Sequence, residues 1–293
     1  MTLEIRDPRL TAVVGPEVRF EKIATGCKFT EGPLWHPGGY LLWSDMPDDH
    51  IRRWSAKEGV STFRKPCNMS NGLAWDLEGR LLACEHASSQ VTRTERDGRT
   101  VPIATHYQGK QLNSPNDIVC AADGRVYFTD PGYGRMEYYG VKREPELDFR
   151  GLYRAGADAT SPVLLAKDFG QPNGLCFSLD GRRLFVNDTE RQHIRAFDAA
   201  AGGGLTGGGV WAETRGEGAG APDGMKIDSA GNLYCCGPGG IHVFDPSATC
   251  LGVIRVPEYT ANMAFGDADL CSLYITASTS VYRIRVAVPG RPA

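Results

Sequence analysis

The sequence lacks the features that identify several large functional classes. It has no run of about 18 apolar residues, the length that a membrane-spanning helix requires, and its start, MTLEIRDPRL, has no apolar segment typical of a secretory signal. Its net charge is −3 and its Lys and Arg residues are scattered. We therefore expect no nucleic-acid partner and no membrane partner. A cytoplasmic location is expected, with a processed periplasmic chain as the open alternative.

Several chemical motifs are absent as well. No CxxC pair accompanies the nine cysteines, most of which lie in or beside apolar runs, so a zinc–thiolate site is disfavoured. The absence of GxSxG argues against a serine hydrolase with a nucleophile elbow. The absence of GxxxxGKS or GxxxxGKT argues against a P-loop phosphotransferase.

A sixfold repeat is the main feature that the sequence does have. Each copy opens with a side chain that carries an oxygen and continues into a short apolar stretch. The opening residues are Glu31, Asn71, Asn116, Asn173, Asp223 and Asn262, at intervals of 40, 45, 57, 50 and 39 residues. In the first five copies a glycine follows eight residues later, at Gly39, Gly79, Gly124, Gly181 and Gly231.

This repeat predicts an all-β fold. Short aromatic and branched runs bounded by Gly and Asp are typical of strands, and periods of about 40 to 50 residues are typical of propeller blades. We predict a six-bladed β-propeller with a metal site in its central channel, formed by a single domain over residues 1–293. An alternating N-terminal strand near residues 18–25 would complete the last blade beside the C-terminal strand and leave no free edge.

The pairs Asn71-Gly72 and Asn173-Gly174 allow two interpretations. Asn-Gly is the strongest short signal for a hairpin turn. The repeat instead assigns the turn to the glycine eight residues later, so that the opening residue starts the first strand of the hairpin.

Two long segments interrupt the repeat. Residues 131–151 are charged and aromatic, and they form either a lid that carries Tyr133, Tyr138 and Tyr139 or a flexible surface loop. Residues 199–222 are rich in glycine, which predicts a flexible hairpin connection without chemistry.

The opening residues predict a polar site. In a propeller they would form a ring at one level of the channel, where buried oxygens without partners are costly. A polar plug held by water and mutual hydrogen bonds would satisfy them, and so would a cation. Two carboxylates and four amides without sulfur suit a hard ion. We expect one divalent cation, with calcium favoured and magnesium, manganese or zinc as alternatives.

The sequence also resembles a known family. The motifs EGPLWHP, LNSPNDIV, YFTDPGYG, PNGLCFSLD, APDGMKID and LYIT occur in the order found in the SMP-30/gluconolactonase/LRE-like family, also called regucalcin-like. The resemblance covers about residues 30–285 and is strongest to the bacterial gluconolactonase branch. It implies a six-bladed propeller with a divalent ion in the channel and hydrolysis of sugar lactones.

The resemblance also implies roles for individual residues. The metal ligands would be Glu31, Asn116, Asn173 and Asp223, with Asp223 as catalytic base and Asn116 as a further substrate contact. Two positions depart from the family. Ser114 stands where the animal members have a sugar-binding arginine, and Gln111 stands where bacterial relatives often have arginine. These departures leave the sugar open.

Together, the ring and the resemblance predict metal-dependent hydrolysis of a gluconolactone-like aldonolactone to its aldonic acid, by a monomer or small homo-oligomer. The candidate substrate-binding residues are Asn116, Asn71, His86, Asn262 and Tyr133. A core or surface position is the alternative for His86. Two other functions stay open. One is hydrolysis of other lactones, esters or phosphotriesters at the same site, and the other is binding without catalysis by a propeller that the metal stabilises.

Overall fold

A computed structural model describes residues 2–156 and 161–291. Within these ranges six antiparallel sheets form a ring, which confirms the expected all-β, six-bladed propeller. The ends of the expected 1–293 domain, residue 1 and residues 292–293, lie outside the described residues. No helix of the described ranges is long and apolar enough to cross a membrane.

The chain begins with strand β1 (Leu3–Ile5), helix α1 (Leu10–Val14) and strand β2 (Glu21–Ala24). The first three blades and a small two-stranded ribbon follow in chain order. Blade 1 contains β3 (Thr30–His36), β4 (Tyr40–Asp45), β5 (His50–Ser55) and β6 (Gly59–Arg64). Blade 2 contains β7 (Ser70–Trp75), β8 (Leu81–Glu85), β9 (Gln90–Thr94) and β10 (Thr100–Ala104), and the ribbon contains β11 (His106–Tyr107) and β12 (Lys110–Gln111). Blade 3 contains β13 (Ile118–Cys120), β14 (Val126–Asp130), β15 (Gly151–Arg154) and β16 (Val163–Ala166).

The last three blades repeat this order and take up the N-terminal strands. Blade 4 contains β17 (Pro172–Phe177), β18 (Arg183–Asp188), β19 (His193–Ala199) and β20 (Leu205–Glu213). Blade 5 contains β21 (Met225–Ile227), β22 (Leu233–Gly237), β23 (Gly240–Phe244) and β24 (Cys250–Arg255), with β1 as a fifth strand. Blade 6 contains β25 (Thr260–Gly266), β26 (Ser272–Ala277) and β27 (Ser280–Arg285), with β2 as its fourth strand.

The first strand of each blade packs against the first strands of the neighbouring blades and so lines the channel. Asn71-Gly72 and Asn173-Gly174 lie inside β7 and β17, which confirms that these pairs are strand starts and not turns. The turn falls eight residues after the opening residue, as at Gly79, whose φ of 71° lies in the left-handed region that favours glycine.

At the opening residues, the backbone of the inner strands loses hydrogen bonds within its own sheet and forms hydrogen bonds with the neighbouring blades. In β3, β7 and β17 the pairing with the neighbouring strand shifts register at this level. The freed backbone groups find partners in the next blade: the Gly72 N–H donates to the Asn116 carbonyl over 2.8 Å. Ser44 Oγ donates to the Asn71 carbonyl, also over 2.8 Å. The ring of opening residues is therefore held by contacts between blades.

The residue after each opening residue is a glycine in four of the copies because the blades approach too closely for a Cβ. A Cβ added at any of these glycines would overlap the next opening residue. The overlapping pairs are Gly32 with Asn71, Gly72 with Asn116, Gly174 with Asp223, and Gly224 with Asn262.

The N-terminal segment lies against the last two blades. Strand β2 pairs antiparallel with β27, with Glu21 opposite Arg283, at the edge of blade 6. Strand β1, which the sequence analysis does not predict, pairs with β24. It is only three residues long, too short for a recognisable alternation. Helix α1 buries Leu10, Val13 and Val14 in the core shared by blades 5 and 6.

The glycine-rich segment 199–222 contains the expected hairpin connection, because Ala199 in β19 pairs with Leu205 in β20. Residues 205–213 form strand β20 at the edge of blade 4, which was not predicted. Gly207 and Gly208 have φ of 78° and 88°, in the left-handed region that favours glycine. The strand is anchored by Trp211, whose ring packs 4.8 Å from that of Phe185.

We expect Gly174→Ala to destabilise the protein. The new methyl group would overlap the Asp223 carbonyl, which belongs to a backbone that cannot move freely, and overpacking of this kind costs about 1–3 kcal/mol. Thermal unfolding followed by circular dichroism measures the effect. Gly209→Ala is the matched control, because a Cβ there meets nothing within 4 Å. Equal melting temperatures for the two variants would contradict the close approach of blades 4 and 5.

Candidate active site in the central channel

A cavity of about 430 Å³ lies at the level of the opening residues. Five of the six opening residues line it, together with both other residues that the sequence analysis assigns to substrate binding. These lining residues are Glu31, Asn71, Asn116, Asn173, Asp223, His86 and Tyr133. Asn262 lies outside the lining. The expected ring therefore meets the cavity through two carboxylates and three amides.

The amide groups of Asn71 and Asn173 are oriented by hydrogen bonds. Asn173 Nδ2 donates to Thr189 Oγ1 over 3.2 Å, and Thr189 in turn donates to the Pro222 carbonyl over 2.6 Å. Asn71 Nδ2 lies 3.4 Å from His86 Nε2. A hydrogen bond from Asn173 also acts on the Asp223 carboxyl and lowers its pKa, against the larger opposing effect of burial. Both amides are therefore held in place by partners at the cavity.

The Asn262 amide is also held by hydrogen bonds. Its Oδ1 accepts a hydrogen bond from the Met263 N–H over 2.8 Å. A hydrogen bond from Asn262 also acts on the Glu31 carboxyl and lowers its pKa, against the larger opposing effect of burial. This amide therefore supports Glu31 from the side, and its oxygen is not offered to the cavity.

A third carboxylate, Asp117, lies beside the ring carboxylates and was not predicted. It occupies the place that glycine has in four other copies of the repeat, and it is only 4% exposed. Burial raises the pKa of Asp117, and the charge of Lys226 opposes this rise. The signal for Asp117 was present in the sequence, because Asn116-Asp117 replaces the Asn-Gly of the repeat.

The surroundings of the ring carboxylates oppose their ionisation. Burial raises the pKa of Glu31 to about 7, and the charge of Asp117 adds to this rise. Burial raises the pKa of Asp223 well above its ordinary value, with the charges of Glu31 and Asp117 as further causes. Without a compensating positive charge, ionisation of the group is therefore costly.

The donor set fits a hard divalent cation. Asp223 Oδ1 and Asp117 Oδ2 are buried without any hydrogen-bond partner, and such oxygens are costly unless something satisfies them. Carboxylate and amide oxygens are the preferred ligands of calcium and magnesium. The described residues contain no group of three His, Cys, Asp or Glu side chains placed to hold a metal, so any site here depends on the asparagines.

Four aromatic side chains form another part of the cavity lining, which we call the aromatic wall. It consists of Phe29, Tyr133, Tyr139 and Tyr259, all of which line the cavity. The rings of Phe29 and Tyr139 pack edge to face with centroids 5.4 Å apart. Tyr133 and Tyr139 belong to the segment that the sequence offers as a lid, whereas Phe29 and Tyr259 were not predicted. These two lie in segments between strands, outside the frame of the repeat, where no periodicity indicates their position.

The insertion 131–151 supplies part of this wall and is attached to blades 2 and 3. Arg135 Nε donates to the Asn113 carbonyl over 2.9 Å, and the Gly134 N–H donates to Ser114 Oγ over 2.9 Å. Ser114 therefore holds the insertion. Gln111 lies on the outer ribbon, and its Oε1 accepts from Arg135.

Carboxylates at the ends of second strands position the segments that lead into the ring. Asp130 accepts from the backbone N–H groups of Asn113 and Ser114 over 2.9 and 2.7 Å. Asp45 and Asp188 make the corresponding contacts in blades 1 and 4. Each of these aspartates fixes the residues two and three positions before an opening residue, which sets the entry of the chain into the channel.

The fold and the site together define a propeller of the class whose ligand pocket lies at the end of the central channel. The chain belongs to the SMP-30/gluconolactonase/LRE-like family, whose sequence pattern matches residues 29–279. This confirms the resemblance noted from the motifs.

Relatives of this chain include named lactonases. A gluconolactonase of Zymomonas mobilis is 32% identical over 97% of this chain and 85% of its own length. A pentonolactonase of Haloferax volcanii is 28% identical over 92% of this chain and 95% of its own length. The solved structure of a gluconolactonase from Xanthomonas campestris is 31% identical, with a TM-score of 0.89 over 98% of this chain and 95% of that one.

We expect the stabilisation of the protein by calcium to increase with pH. Because burial raises the pKa of Glu31 and Asp223, their contribution to the stability of the cation-free protein is fully present below their ordinary pKa values. The contribution of Glu31 is lost as the pH rises through about 7, and that of Asp223 is lost as the pH rises through its own raised pKa. Calcium would offset the charge that then appears. The calcium-induced rise in melting temperature should be larger at pH 8 than at pH 5 by about 2–8 °C, or roughly 1–2 kcal/mol.

Melting curves in EDTA and in calcium chloride at both pH values measure this difference. Glu31→Gln, which removes one of the titrating groups, should reduce it. A calcium-induced shift that is the same at pH 5 and pH 8 in the unsubstituted protein would contradict the assignment.

Proposed function

We propose that this protein hydrolyses a sugar lactone of the gluconolactone type to the corresponding aldonic acid, with one divalent cation in the channel. The observation that carries the proposal is the pair of buried carboxylates, Glu31 and Asp223, beside amide oxygens at the base of a cavity with an aromatic wall. The lactonase relatives support the same reaction.

Glu31, Asn116, Asn173 and Asp223 would hold the cation, as the family resemblance implies. When bound, such an ion polarises a carbonyl and stabilises negative charge that develops on its oxygen. Calcium is the favoured ion because the donors are all oxygens, with magnesium, manganese or zinc as alternatives.

Asp223 would act as the general base. The positive charge of a bound cation would favour its ionised form, and its Oδ1, which has no hydrogen-bond partner, could then accept a proton from a water molecule. The water oxygen bonds to the lactone carbonyl carbon, the ring C–O bond then breaks, and the released alkoxide takes up a proton. Asn116 and Asn71 would bind the carbonyl or the hydroxyl groups of the substrate, and Tyr133 would contact the sugar face.

The side chains that line the cavity in the described part of the chain supply no positive charge to an anionic substrate. No Lys or Arg is found among the residues that line it in the described part of the chain. His86 adds no positive charge near neutral pH, because burial lowers its pKa to about 4. A phosphate or sulfonate group on the sugar would therefore find no cationic side chain there.

We expect Asp223→Asn to reduce kcat on glucono-1,5-lactone by at least about 10²-fold, the scale of a lost general base, and to weaken calcium binding. A pH-stat assay and calorimetric calcium titration measure the two effects. Asp97→Asn, at an exposed hairpin turn, is the matched control. Turnover that survives both Asp223→Asn and chelation would contradict the mechanism.

The same assay separates the alternatives. Loss of turnover in EDTA and recovery with calcium support the enzyme. Stabilisation by calcium without turnover of any lactone, ester or phosphotriester would indicate a binding propeller. Preferential turnover of a phosphotriester would move the substrate class away from lactones.

We also expect 6-phosphogluconolactone to be a poor substrate. Its kcat/KM should be at least about tenfold below that of glucono-1,5-lactone, because the phosphate enters a cavity with acidic groups and no cationic side chain in its described lining. Competing hydrolysis of the two lactones, followed by nuclear magnetic resonance, measures the ratio. Equal kcat/KM values for the two lactones would show that the phosphorylated end of the substrate lies outside the cavity.

A further inference from the structure

His86 is a buried histidine whose two ring nitrogens have different partners. It directly follows β8 and has no exposed surface. Its Nδ1 lies 2.8 Å from the Tyr139 carbonyl oxygen. A carbonyl can only accept a hydrogen bond, so Nδ1 must carry the hydrogen. In the neutral ring, Nε2 is then an acceptor.

The acceptor Nε2 faces the amide of Asn71. The distance from Nε2 to Asn71 Nδ2 is 3.4 Å, a long hydrogen bond in which the amide nitrogen is the donor. The two ends of an asparagine amide are nearly identical in shape, so its orientation is decided by such partners. With the nitrogen held toward His86, Asn71 Oδ1 is directed to the other side.

The surroundings of His86 keep Nε2 an acceptor. Burial lowers the pKa of His86 to about 4, and the charge of Arg143 adds to this effect. Arg143 Nη2 donates to the His86 carbonyl over 2.9 Å. The Tyr139 carbonyl favours the imidazolium, but burial outweighs it, so the ring is neutral near pH 7.

The insertion fixes the other end of this chain of hydrogen bonds. A Cβ at Gly134 would lie 2.7 Å from His86 Cβ, so the insertion packs directly against the histidine. The Val141 N–H donates to the Gly134 carbonyl over 3.0 Å and closes the turn that carries Tyr139. The Tyr139 carbonyl is thus held at a defined place relative to blade 2.

We propose that His86 is a positioning residue: it holds the Asn71 amide with its oxygen toward the substrate, and the insertion 131–151 sets this orientation through the Tyr139 carbonyl. The proposal rests on the proposed function for the identity of the substrate. It adds a residue that acts without touching the substrate, and it gives the insertion a role beyond covering the cavity.

A double-mutant cycle tests this role. In His86→Leu the amide loses its anchor, so KM for glucono-1,5-lactone should rise about tenfold, the effect of one hydrogen bond, while kcat stays within about twofold. Asn71→Ala should raise KM at least as much. The double variant should be no worse than Asn71→Ala alone, because the two residues act as one unit.

His86→Gln is the conservative control. Glutamine can donate its amide N–H to the Tyr139 carbonyl and accept from Asn71 through its oxygen, so it should recover most of the loss. Melting temperatures show whether each variant is folded. Additive effects of the two substitutions, or a folded His86→Gln variant as impaired as His86→Leu, would overturn the proposal.

Two readouts need no turnover. Calorimetric binding of glucono-1,5-lactam should follow the same cycle. The ¹⁵N spectrum of the calcium-loaded protein at pH 7 should show His86 protonated at Nδ1 only. An Nε2–H tautomer or an imidazolium would overturn the proposal, whether or not the protein hydrolyses lactones. Absence of turnover with the Nδ1–H tautomer present would contradict the proposed function alone.

Discussion

The structure depends on the close approach of neighbouring blades at the channel. At this level, the inner strand of one blade gives up hydrogen bonds in its own sheet and bonds the next blade, as in the Gly72 contact with the Asn116 carbonyl. The approach requires glycine, since a Cβ at Gly72 would lie 2.5 Å from that carbonyl. The same contact that closes the ring places the preceding side chain in the channel. Fold closure and site geometry therefore come from one backbone arrangement.

This arrangement concentrates acidic groups where they are least stable. Glu31, Asp117 and Asp223 are all at least 90% buried, and burial raises the pKa of each of them. The neighbouring Lys226 supplies one positive charge that opposes this effect. Three carboxylates and one ammonium leave a net charge of −2 when all are ionised, which one divalent ion would neutralise. The same repulsion among carboxylates would therefore destabilise the site without the ion and favour binding of the ion.

The repeat made the fold and the ring of opening residues predictable. It gave no position for residues that lie outside the repeated segments. The interval between each opening residue and its turn glycine identified β7 and β17 as strands although Asn71-Gly72 and Asn173-Gly174 have the form of a turn. Periodicity does not report which side chains reach the cavity, so it could not separate Asn262, which lies outside the lining, from Asn173, which lies within it. Nor does it place Tyr139, whose position is set by the hydrogen bonds of the insertion.

The site is therefore built from two parts with different physical origins. The ring arises from backbone contacts between blades and is tightly constrained, because any change there disturbs closure of the propeller. The aromatic wall arises from connecting segments, where the Ser114 hydroxyl binds the insertion. Segments of this kind tolerate substitution better than the strands they connect. Substrate preference can then change through the wall while the ring, and the chemistry that it supports, stays the same.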